Sequence, residues 1–167
     1  MIALAITGGS AASQISPPLA FLGFTAGDSL AAITRRLKSS GGPALRCREA
    51  RRDTSLRECR GRLADSISGR NVDLWLAAID GASGILTLSG RVGREAVDQW
   101  RDTLVAHFGL VPVQVQGTQS MMQWVRRGRM LRLTWRVEGG VTIASVSLVD
   151  GHVLDGWGAR RRPAPPS

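Results

Sequence analysis

An α+β domain, an antiparallel sheet with two main helices packed on one face, is what this chain predicts. Three observations lead there. Apolar residues recur at helical spacing near residues 30–37 and 97–108. Elsewhere they alternate as strands do, and clusters of Gly, Asp and Pro separate the alternating runs. With 167 residues, 43% of them apolar, the chain has material for one core. No apolar run approaches the roughly 20 residues that a membrane-spanning helix needs. The expected organisation is an N-terminal segment over 1–18, a single domain over 19–158 and a tail over 159–167.

In the N-terminal segment, the apolar Ile2–Ile6 precedes the small, polar Gly8-Gly9-Ser10-Ala11-Ala12-Ser13. That is the order at the end of a secretory signal, with cleavage expected after Ala12 or Ser13; a flexible or strand-forming start is the alternative. Ala5-Ile6-Thr7-Gly8-Gly9-Ser10 also resembles the opening of short-chain dehydrogenases. That reading is rejected: Pro17-Pro18 interrupts the required helix, and the chain contains no Tyr.

The first helix is expected to start at Thr25, with Asp28 completing an acidic capping box, and to carry Leu30, Ile33 and Leu37 on its apolar face. Arg35, Arg36 and Lys38 suit its negative end, and Gly41-Gly42-Pro43 stops it. Residues 45–50 and 56–63 then read as two arms of a hairpin around the polar Arg51–Ser55. The midpoint of Cys47 and Cys59, the chain's two cysteines, falls on Asp53, so they face each other across the ladder. Directly opposed residues have Cα atoms about 4.5–5.5 Å apart, within reach of a disulfide. A reduced structural pair and a redox couple are the alternatives to that bridge. Val72, Leu74 and Leu76 alternate inward, Asp80–Gly84 turns the chain, and Leu86 and Leu88 return on one face.

From Arg94 the period changes: Val97, Trp100, Leu104, Val105 and Phe108 form the second helix's stripe, and Gly109 ends it. Gln119–Arg126 is short and mixed. Leu131, Leu133, Trp135 and Val137 then alternate with a basic outer face, and Val141–Val149 is its partner strand. There Val146 and Leu148 oppose Val141 and Ile143 in phase, which predicts burial on both sides or a bulge. Asp150-Gly151 reads as a tight turn, followed by Val153, Leu154 and Trp157. The basic, proline-rich end reads as disordered. Each half begins with a helix and continues into strands, a weak internal α-β-β repeat.

The formal charge is +9, and Lys38 stands alone beside 21 arginines. Residues 46–62 carry seven of them, and Arg126, Arg127, Arg129, Arg132 and Arg136 form the candidate anion-binding surface, for nucleic acid, another anionic polymer or a membrane surface. A coding bias toward Arg is the alternative source of the charge. No Ser sits in a G-x-S-x-G turn, and neither His107 nor His152 has neighbours that would place it in a triad. No catalytic residue, metal site or cofactor is expected.

Phe21-Leu22-Gly23-Phe24-Thr25-Ala26-Gly27-Asp28-Ser29-Leu30, together with the order of elements, resembles small secreted proteins of the SmpA/OmlA (outer-membrane assembly lipoprotein) and beta-lactamase-inhibitor-protein type. The resemblance covers residues 21–90. It implies a non-enzymatic envelope or extracellular protein that acts through a sheet surface. The chain has no cysteine just after its signal-like start, so it lacks the anchor site of a bacterial lipoprotein. The expected function is a secreted or envelope-associated binding or scaffold protein with a protein partner, periplasmic or extracellular. The alternative is a protein that binds nucleic acid or another anionic polymer, with the cytoplasm as the alternative location.

Overall fold

The computed structural model describes residues 17–161. The signal-like start up to residue 16 and the last six residues of the expected tail lie outside the described residues. Ala20–Phe21 (β1) and Phe24–Thr25 (β2) form a small hairpin. Leu22 and Gly23 between them both have positive φ, 51° and 78°, as a two-residue primed turn requires. Helix α1, Leu30–Ser39, buries Ile33 and Leu37. Its N-cap is Ser29, whose Oγ accepts from the Ala32 N–H at 3.2 Å, and not Thr25. The Thr25–Asp28 contact does form, with the Thr25 N–H donating to Asp28 Oδ2 at 3.0 Å, but it closes the turn before the helix. Ser29 caps because it is the residue whose backbone is still extended where the helix begins.

Strands β3 (Arg46–Ala50), β4 (Asp53–Ala64), β5 (Asn71–Ile79) and β6 (Ala82–Val92) follow as an antiparallel meander. Cys47 lies directly opposite Cys59, and the two are joined by a disulfide. Helix α2, Arg94–Phe108, buries Ala96, Val97, Trp100, Leu104 and Phe108 and stops at Gly109, whose φ is 88°. A second meander then runs β7 (Gln114–Gln116), β8 (Gln119–Arg126), β9 (Arg129–Glu138) and β10 (Val141–Asp150). The mixed stretch 119–126 is thus a full strand. Met122 and Trp124 are its buried residues, and apolar Met121 and Val125 on the other face give the stretch its mixed pattern.

The eight strands form one sheet in the order β3-β4-β5-β6-β10-β9-β8-β7. The last strand of each meander meets the other at the centre, so the order reads symmetrically outward from a β6–β10 seam. One face is buried: Leu74, Leu76, Leu86, Leu88, Leu131, Leu133, Val146 and Leu148 are each 0–1% exposed. Full burial of such side chains stabilises by about 1.5–3 kcal/mol each. Leu37 of α1 lies over Gly61, and the Phe108 ring of α2 lies 6.5 Å from that of Trp124. Strand β10 is regular, in unbroken register with both neighbours, so its phase conflict arises otherwise than by a bulge. Ala144, Val146 and Leu148 face the core, while Ile143 and Val141 point to the other side, half-buried and exposed.

Where a turn and the beginning of a tail were expected, Gly151–Arg161 forms a third helix, α3. It crosses the tips of three hairpins. The Gly151 N–H donates to Gly128 O at 2.8 Å, and His152 Nε2 lies 3.1 Å from Arg127 O. Trp157 Nε1 donates to Asp53 Oδ2 at 2.7 Å, and Arg160 pairs with Asp80. These partners are distant in sequence, and three glycines and a weak apolar stripe concealed the helix. Among the described residues no helix is long and apolar enough to cross a membrane.

Candidate functional site

Opposite the core, the eight-stranded sheet shows a second face, and the strand register orders its side chains into rows. One row crosses seven strands: Arg46, Arg60, Trp75, Thr87, Ser147, Arg132 and Gln123 are successive cross-strand partners. Beside it run Arg62, Asp73, Ser89, Ser145, Thr134 and Met121, and on the other side Ala77, Ile85, Val149, Met130 and Val125. These side chains are half-buried or exposed, whereas their neighbours one residue along each strand are mostly buried. The period-2 pleat makes that division.

Within the rows most polar groups answer one another. Thr87 and Ser147 share a hydrogen bond of 3.0 Å, and Thr134 and Ser145 one of 2.7 Å. Arg132 Nη2 donates to Gln123 Oε1 at 2.8 Å, Arg62 pairs with Asp73 at 2.8 Å, and Arg48 pairs with Glu58. Arg46 and Arg60 differ. They are directly opposed like charges, and neither has a hydrogen-bond or ion-pair partner among the described residues. Two adjoining depressions share them. One, of about 310 Å³, also touches Arg62 and Asp73; the other, of about 330 Å³, touches Arg48 and Glu58.

The five arginines of the expected anion-binding surface do not share one face of the sheet. Arg126 sits on the core side, where Nη2 donates to Phe108 O at 2.8 Å and the guanidinium lies 5.5 Å from the Phe108 ring centre. Arg127 is at the β8–β9 turn with φ 49°. Arg129 donates to Asp150 Oδ2 at 2.8 Å. Arg132 and Arg136 alone point to the open face, and Arg136 lies 3.5 Å from Glu138. Alternation along a strand and a two-residue turn divide a run that is compact in sequence.

Asp150 is 2% exposed. Burial alone would raise its carboxyl, but the Arg129 guanidinium and the Val153 and His152 N–H groups hold it below the usual carboxylate range. Gly27, at φ 87°, packs against this carboxylate and donates its N–H to Ser83 O at 2.9 Å. His107 is exposed, with Nδ1 2.8 Å from Thr103 O in its own helix, beside an apolar cleft of about 390 Å³ lined by Phe21, Leu104 and Phe108. Among the described residues no three His, Cys, Asp or Glu side chains gather.

Arg46, Arg60 and Trp75 were not singled out as a group from the sequence. The signal was there: a bridge between Cys47 and Cys59 fixes the register, and Arg46 and Arg60 each neighbour a bridged cysteine. Trp75 needed the β4–β5 register as well. Comparison with protein-family models, curated proteins and solved structures finds no match for this chain.

Proposed function

We propose that this chain is a non-enzymatic, secreted or envelope-associated binding protein that presents the open face of its eight-stranded sheet to a partner. The observation that carries the reading is the half-buried to exposed second face itself, with its hydroxyl pairs and arginines in register across seven strands. The reading takes α1 and α2 to lie together on the opposite side. The positions of Leu37 over Gly61 and of Phe108 beside Trp124 support this. It is the arrangement implied by the resemblance to small envelope proteins that act through a sheet. The disulfide supports a periplasmic or extracellular location, since such bridges persist in oxidising compartments.

A photo-crosslinking residue at Ser145 in the tagged full-length gene product tests the face, with one at exposed Asp102 on α2 as control. The expected result is a discrete adduct from Ser145 alone, with the protein in the envelope or medium and both cysteines bonded. Adducts equal at both positions, or at neither, overturn the face. A cytoplasmic product with two free thiols overturns the location. A second reading, binding of an anionic polymer, is favoured by one observation, the unpartnered Arg46–Arg60 pair.

A further inference from the structure

Resting on the reading of the open face as a binding surface, we propose that Arg46, Arg60 and Trp75 form a subsite for an anionic polysaccharide, a sugar polymer bearing sulfate or carboxylate groups. The three are consecutive in one row on β3, β4 and β5, with strands about 4.8 Å apart. Like charges placed directly opposite each other repel and destabilise a ladder. The sheet holds one other directly opposed arginine pair, Arg126 and Arg129, and there each guanidinium has its own acceptor, Phe108 O and Asp150. Arg46 and Arg60 have no such acceptors, and depressions on either side admit a group that would supply them. Two guanidinium forks and an indole N–H, which also has no partner among the described residues, match the oxygens of a sulfate or carboxylate.

Sugar is favoured over nucleic acid by what surrounds the arginines. Sheets that hold single strands stack successive bases on several aromatic side chains. Among the described residues Trp75 is the one aromatic that the strands contribute to this face, and the row continues into hydroxyls at Thr87 and Ser147. Each hydroxyl pair spends one proton internally and keeps another to offer a ligand. An indole covers the C–H face of a pyranose, hydroxyls meet its O–H groups, and arginines meet its charge. The site also adjoins the disulfide, and the oxidising compartments where such bridges persist are those where charged polysaccharides are exposed. The bridge fixes the backbone at Cys47 and Cys59, one residue from each arginine, so the pair is held in place before a ligand arrives.

The test uses the full chain and four probes: heparin oligosaccharide for sulfate, oligogalacturonate for carboxylate, neutral dextran, and oligothymidylate. At low salt the first or second binds, dextran does not, and oligothymidylate binds less tightly. R46Q/R60Q weakens the sugar by about tenfold or more, the loss expected for charge-assisted hydrogen bonds. R35Q/K38Q on α1 removes the same charge and changes affinity little. In the unaltered protein the Trp75 indole N–H resonance shifts on titration with the same midpoint, a readout independent of how any variant folds. Equal loss in the two double variants, an unmoved Trp75 resonance, tighter binding of oligothymidylate, or no binding of either charged sugar overturns the proposal. If it falls while the Ser145 adduct persists, the subsite alone is wrong; if both fail, the open-face reading goes with it.

Discussion

Asp65, 1% exposed, accepts the Trp100 indole N–H at 2.6 Å, the Ile67 N–H at 2.8 Å, the Ser68 N–H at 3.2 Å and the Ser68 hydroxyl. It thereby ties the β4–β5 turn to α2. Removing a buried acceptor orphans its donors, so Asp65→Ala is expected to cost about 3 kcal/mol or more in urea unfolding, with a shift in near-ultraviolet tryptophan dichroism. A loss comparable to that of an exposed surface change would contradict this. Trp100 was legible as a core aromatic from helical spacing, and a buried indole needs an acceptor. Its partner, 35 residues away, was not legible. Asp150 carries a second expectation at this scale. Its folded-state carboxyl titrates below the ordinary value of about 3.9, so the ionised form contributes stability above about pH 4 and loses it as pH falls through the folded-state value. The stability gap between the natural protein and Asp150→Asn should be widest near neutrality and close in acid; a gap independent of pH would refute it.

Among the elements, the β3–β4 hairpin was the most legible, because two cysteines on one face of two arms leave little freedom in register. The turn is nevertheless tighter than expected: β4 begins at Asp53, and the register shifts between Glu49 and Ala50. Cutting a cross-link between residues 12 apart restores chain entropy worth about 3 kcal/mol to the unfolded state. C47A/C59A should therefore unfold at correspondingly lower urea, and an unchanged midpoint would show that the hairpin is already formed in the unfolded ensemble. Helix α2 was read from its period to within a residue of both ends. Helix α3 escaped because its anchors, Asp53, Asp80 and Arg127, lie on three separate turns. Strand β8 escaped because its open-face positions, Met121, Gln123 and Val125, blur the alternation.

For the whole molecule, fold class followed from the alternation of periods, but strand order did not. The β6–β10 seam pairs residues 50 to 64 apart in sequence, and nothing local in either strand names the other. Order has a measurable consequence, since central strands open only when the sheet does. Amide exchange should be slowest in β6 and β10 and fastest in β7, which pairs over three residues; β7 exchanging as slowly as β10 would be the contrary result. The seam also determines what happens if the chain is broken. Gly93 is exposed, with open space around it, between β6 and α2. A protease site inserted there would leave two peptides, each with one helix ahead of four strands. An eight-rung ladder and the contacts of α3 with Asp53 and Asp80 would still join them. The nicked protein should elute as a single species and separate into halves only in denaturant: a covalently continuous chain that behaves, across its middle, as a heterodimer.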